Sequence, residues 1–188
     1  MDDTELEALL EVVLRPERPR SAPEERMQAI EDRQAIHELI MSYGYLCDAQ
    51  RWDELLDLYT DDIERTLGGT LTEHVQGKAA LREKLEAPTL ARKSGEGGPP
   101  PTAVMERFGI RHLMAGEVIR LADHGLTATA AVQYSLVVSL EGEAGFRKGA
   151  HEGSYVFDFR KENGVWKFCR QFVISDNAHN PLFQADAQ

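Results

Sequence analysis

The apolar residues of this chain change their period midway along it, and that change restricts the fold more than any other feature. Ile36, Leu39, Ile40, Tyr43, Leu46 and Cys47 recur at i, i+3, i+4, i+7, i+10 and i+11, which is one stripe on a long helix. Trp52, Leu55, Leu56 and Tyr59 repeat that spacing on a shorter helix, with Asp48 at the joint. From residue 110 onward the period is two. Ile110, His112, Met114, Gly116 and Val118 share one face of a strand over 110–121, and the alternation resumes over 126–140 and 150–160. Glu162-Asn163-Gly164 then signals a hairpin turn into Trp166, Phe168, Arg170, Phe172 and Ile174. Helices first, then long strands joined by short turns, predict a segregated α+β fold with N-terminal helices packed on an antiparallel sheet.

The remaining segments fit around that frame. Residues 63–67 and 71–75 read as short strands around Gly68-Gly69, and a helix from Lys78 to Glu86 is expected to stop before Pro88. Residues 88–107, with Gly95, Gly97, Gly98 and Pro99-Pro100-Pro101, read as a long flexible loop of the kind that serves as a lid or is a disordered insertion. Leu6, Leu9, Leu10 and Val13 mark a short amphipathic helix that Pro16, Pro19 and Pro23 break. The division expected is therefore a peripheral arm over 1–23, packed on a neighbouring subunit, a domain over 24–178 and a tail over 179–188.

Charge and composition exclude several classes of function. A net charge of −11 opposes nucleic acid and acidic membrane surfaces, which require a basic face. No apolar run approaches the length of a membrane span. The start, Met1-Asp2-Asp3-Thr4-Glu5, is acidic where a secretory leader is basic, so a cytoplasmic protein is expected. Cys47 and Cys169 stand too far apart in pattern for a zinc signature or a disulfide framework. The histidines lack ligand spacing and no glycine-rich phosphate loop is present, so neither metal nor cofactor is expected.

Several strings occur in a telling order: Ala35-Ile36-His37-Glu38-Leu39, the step from Asp48 to Trp52, Arg111-His112, Gly153-Ser154-Tyr155, and Asn163 through Phe168. In that order, over residues 28–175 without the long loop, the chain resembles the SnoaL-like, nuclear-transport-factor-two-like (NTF2-like) proteins. The resemblance is to the branch that holds scytalone dehydratase and bile-acid dehydratase. It implies a cone-shaped fold with a pocket between the helices and a curved antiparallel sheet. In enzymes of that branch an aspartate at the end of the long helix orients a histidine on the sheet that acts as acid and base. Asp48 and His112 stand at those positions, and Tyr43 matches a pocket tyrosine of the bile-acid enzyme. No histidine in 126–140 matches the second one of scytalone dehydratase, and the late arginine of the bile-acid enzyme falls on Ser175. The substrate therefore does not carry over.

Each residue also has a plainer reading. His112 shares its face with apolar residues, where a histidine is commonly a satisfied core side chain; Asp48 alone reads as a helix-end cap. Together they suit proton transfer, because a carboxylate on one imidazole nitrogen fixes the tautomer and leaves the other to act. Tyr43 lies on the helix stripe, in the core or against a ligand. Arg170 alternates with aromatic residues and so must be paired or exposed, in a structural ion pair or as anchor for an anionic substrate group. His37, His74, His124, His151 and His179 are given no role in the chemistry. The function expected is a cofactor-independent lyase, dehydratase-like, acting on a small apolar or cyclic substrate, with an isomerase as its nearest variant. The alternative is a non-catalytic ligand-binding or assembly module, as in dioxygenase small subunits. A symmetric homo-oligomer, trimer or dimer, is expected in either case.

Overall fold

The stripe of the N-terminal half forms one continuous helix, and the alternating half forms one sheet. The computed structural model describes residues 3–67, 73–94, 110–142 and 145–176. Their elements are α1 (Asp3–Leu14), α2 (Pro23–Asp48), α3 (Trp52–Asp57), β1 (Tyr59–Leu67), β2 (Glu73–Gln76), α4 (Lys78–Ser94), β3 (Ile110–Leu121), β4 (Thr127–Gly142), β5 (Gly145–Glu162) and β6 (Val165–Ser175). The start of α2 has proline in its first turn with Glu24 and Glu25 beside it, which suits the free N–H groups and positive dipole end there. No helix among the described residues is long and apolar enough to cross a membrane.

The strand order is β2-β1-β6-β5-β4-β3 in one open, curved sheet. All neighbours are antiparallel except β1 and β6, which run parallel. The expected α+β fold with its antiparallel sheet is borne out, and one detail is corrected at that seam, where the parallel pair makes the sheet mixed. After β2 the chain crosses to the far edge and returns through successive hairpins, which brings β6 beside β1 in the same direction. A second expectation is also corrected: α4 continues through Pro88 to Ser94. A proline removes one hydrogen bond from a helix, and the good helix formers on both sides carry it past that loss. The remainder of the expected lid, residues 95–107, lies outside the described residues.

The inner face of the sheet packs on α2 and α3, with Ile36, Ile40, Leu55, Phe157, Phe159 and Phe168 fully buried between them. The outer face is covered in part by α1, whose Leu9 and Val12 pack on Ala131, Val156, Phe172 and Ile174. The arm thus folds onto its own sheet. Glu17, in the link to α2, pairs with Arg33 and accepts the Leu121 N–H at 2.7 Å. Arg120 donates to the Val13 carbonyl at 2.7 Å.

Two bulges change which residues face inward. In β3 the register slips between Ala115 and Val118, with Gly116 at φ +64°. His112 and Met114 face the core before the slip, and Ile119 and Leu121 after it; Val118 does not stay on the face of His112. In β6 Cys169 is the extra residue between Phe168 and Arg170. Trp166 and Phe168 point inward, then Gln171 and Val173, while Phe172 and Ile174 pack on the outer side. An inserted residue of this kind inverts every later side chain of a strand.

Asp32 joins α2 to the far end of the β5–β6 hairpin. Its carboxylate, only 6% exposed, accepts Lys161 Nζ at 2.6 Å, Trp166 Nε1 at 2.9 Å and Gln28 Nε2 at 3.2 Å. Burial works to raise its pKa, but the bonds from Lys161 and Trp166 and the charge of Lys161 outweigh that and hold it below the usual carboxylate value. A group depressed in this way stabilises the fold above its unfolded-chain pKa of about 3.9, and the contribution is lost as pH falls through the folded value. Asp32→Ala is therefore expected to cost about 3–5 kcal/mol near neutrality, because it strands a partly buried lysine. Urea unfolding of both proteins measures this. The difference should narrow in acid, and equal midpoints at neutral pH would contradict the account.

Candidate active site

Asp48 ends α2, and His112 lies two residues into the edge strand β3. The two elements approach closely because Gly44, one turn before Asp48, has no side chain. A Cβ there would lie 3.3 Å from the Cβ of His112. The Asp48 carboxylate receives His112 Nδ1 at 2.7 Å and the His112 backbone N–H at 3.1 Å to each oxygen. The side chains are 5% and 12% exposed, while that of Arg111, with Nη1 3.9 Å from Asp48, is mostly in solvent. A carboxylate at Nδ1 selects the Nδ1–H tautomer of the neutral ring, so Nε2 on the opposite side holds the lone pair.

Tyr43 packs edge-on against His112, ring centres 5.9 Å apart. Gln171, fully buried, donates from Nε2 to the Tyr43 hydroxyl at 3.0 Å and accepts the Tyr59 hydroxyl at Oε1 at 3.1 Å. Tyr155 stands beside Tyr43 at 5.7 Å between ring centres. Burial pushes the phenols of Tyr43, Tyr59 and Tyr155 well above their ordinary pKa, so each stays a neutral hydrogen-bonding group. Burial likewise raises the Cys47 thiol to about 12 and makes it a poor nucleophile near neutrality. The guanidinium of Arg65 on β1 works against burial at Tyr43, Tyr59 and Cys47.

The structure thus brings Asp48, His112 and Tyr43 together and does not bring Arg170 to them. Arg170 pairs with Asp158 at 3.1 Å, 51% exposed, on the outer side of the bulged strand. Sequence reasoning missed Gln171 and Arg65. Gln171 reaches the interior only through the bulge at Cys169. Arg65 had a signal, since it alternates with Ile63 and Leu67 on a short strand. The other histidines act locally: His37 bonds Glu117 at 2.7 Å, His74 bonds Thr66 at 3.1 Å, and His124 accepts the Leu126 N–H at 3.0 Å. The side chains of His151 and His179 lie outside the described residues. Among the described residues no group of three His, Cys, Asp or Glu side chains converges as metal ligands do.

A model of the SnoaL-like domain matches residues 28–171. Among solved structures, an NTF2-like protein with a cystatin-like fold from Novosphingobium aromaticivorans is 23% identical over 86% of this chain and 92% of its own, with a TM-score of 0.60. A candidate scytalone dehydratase from the same organism is 20% identical, with coverage of 80% and 87% and a TM-score of 0.60. The beta subunit of the benzoate 1,2-dioxygenase from Burkholderia mallei is 16% identical, with coverage of 76% and 89% and a TM-score of 0.61. At these identities the likeness is one of fold. A search of curated proteins found no match.

The bond from Nδ1 to Asp48 makes a prediction about protons. In neutral His112, nitrogen-15 NMR is expected to find Nδ1 protonated and Nε2 bare. Asp48→Ala removes the acceptor and should shift the ring toward the Nε2–H form that free imidazoles favour. An unchanged tautomer in that variant would show that another group sets it.

Proposed function

The chain belongs to the SnoaL-like domain family, and from that premise we propose that it is a cofactor-independent, dehydratase-like lyase in which Asp48 and His112 form the acid–base pair. The observation that carries this reading is the 2.7 Å bond between Asp48 and His112 Nδ1, with both side chains almost wholly withdrawn from water. A carboxylate so used stabilises the imidazolium that forms when Nε2 takes a proton.

The step runs on a small ring compound whose C–H is acidified by a neighbouring unsaturated group. Nε2 takes that proton, the C–H electrons form the new double bond, and the hydroxyl on the next carbon leaves. Imidazolium returns the proton to the departing hydroxide, and water is the second product. Tyr43 serves this step as a hydrogen-bond donor to substrate oxygen, a role that a phenol with a raised pKa keeps across the neutral range. If the proton returns to a different carbon instead, the same groups perform an isomerisation. The likeness to dioxygenase beta subunits favours an assembly module, but a purely structural subunit has no need of a buried, carboxylate-bound histidine. A symmetric homo-oligomer, dimer or trimer, accords with the exposed Leu6, Leu10, Val13 and Leu14 of α1.

Incubation of the protein in deuterium oxide with a panel of cyclic hydroxy-carbonyl compounds, read by mass spectrometry, tests this reading. Loss of water indicates the lyase, and deuterium uptake without it the isomerase. His112→Gln is expected to lower either rate by about 10²–10⁴-fold while the protein stays folded. Wild-type turnover in a folded His112→Gln protein would defeat the proposal, and the assembly module would then be the better reading.

A further inference from the structure

We infer that Arg65 anchors an anionic group of the ligand, so that the site of Asp48 and His112 takes a small ring compound carrying a carboxylate or similarly charged oxygen. The inference rests on the reading of that site given above and names its substrate class.

Arg65 lies on β1 between Ile63, 1% exposed, and Leu67, and both neighbours pack on the inner core. Alternation along a strand puts residues 63, 65 and 67 on one face. The register leads to the same place, because Arg65 stands opposite Gln171 of β6, and side chains of paired residues share a face. The Gln171 amide meets Tyr43 and Tyr59 inside the fold. The guanidinium therefore enters the interior that holds Tyr43 and is only partly open to water.

Arg33, Arg51, Arg82, Arg160 and Arg170 each have a carboxylate partner. Among the described residues Arg65 has none. Its field reaches Tyr43, Cys47, Tyr59 and Tyr134. Burial keeps all of these in their neutral forms, so none supplies a negative charge. Asp48, the anion of the site, is already bound by His112. A guanidinium is always charged and offers five donors in a fork that matches a carboxylate. Withdrawn from water without a counter-charge it is costly, and a ligand carboxylate removes that cost through paired charge-assisted bonds. The surrounding protein opposes anions, with its net charge of −11, so any preference for one must come from a local cation.

The test compares cyclohexanecarboxylate with its neutral isostere cyclohexanecarboxamide by titration calorimetry at neutral pH. Wild-type protein is expected to bind the carboxylate at least about tenfold more tightly, the worth of one good charged hydrogen bond. Arg65→Met, which keeps the length of the side chain, should erase that preference. Arg65→Lys should keep part of it, and Arg170→Met should leave it whole. Circular dichroism confirms that each variant is folded. Equal binding of the two compounds by wild type, a preference that survives Arg65→Met, or no binding of either compound overturns the inference. The proton-exchange experiment with His112→Gln judges the acid–base reading separately, since it does not depend on a charged ligand.

Discussion

The contact on which the rest of the site depends is the Asp48 carboxylate at the last residue of α2. A helix C-terminus carries partial negative charge, and a carboxylate there is disfavoured by about 0.3–1 kcal/mol; the last turn of α2 holds no basic residue to offset it. What offsets it is β3, through the backbone N–H and ring nitrogen of His112. The same bonds tie the longest helix to the edge of the sheet and orient the imidazole. A structural clasp and the proposed acid–base pair are thus one interaction, and Gly44 allows the elements to come close enough for it.

The interior beyond that clasp is largely aromatic, with few polar atoms. Tyr43, Tyr59 and Gln171 form a short relay in which each hydrogen bond uses one end of the amide. A buried amide is tolerated only when both ends are used, and here they are. The Tyr43 oxygen accepts from Gln171 and also lies within hydrogen-bonding reach of Tyr155 and Cys47.

The sequence disclosed the parts of this design that follow simple periods. The stripe from Ile36 to Cys47, the joint at Asp48 and the alternating strands from 110 onward were legible because burial on one face leaves a regular mark. The SnoaL-like resemblance directed attention to Asp48, His112 and Tyr43. What could not be read were the places where a strand gains a residue. The bulge at Gly116–Glu117 moves Ile119 inward in place of Val118, and the bulge at Cys169 moves Gln171 inward and turns Arg170 out. No pattern of alternate residues announces an inserted one, so alternation along β6 points Arg170 inward, whereas the bulge turns it out and Arg65 on β1 lies opposite the inward Gln171. Likewise, the parallel seam of β1 and β6 follows from the path of the whole chain and leaves no local trace.

That seam bears on the order in which the chain folds. β3 through β6 form hairpins between consecutive strands, contacts that a chain can make early because few residues must be ordered to close them. The β1–β6 pairing, Arg65 with Gln171 among its partners, joins opposite ends of the domain, and its loop-closure entropy is met only after the intervening hairpins exist. Arg65 and Gln171 are thus brought together by the pairing in this sheet that is most distant in sequence. A chain stalled with its hairpins formed but the seam open would have native-like strands and no assembled interior. Pairing of β1 with β6 would then be a stricter sign of complete folding than any measure of secondary structure.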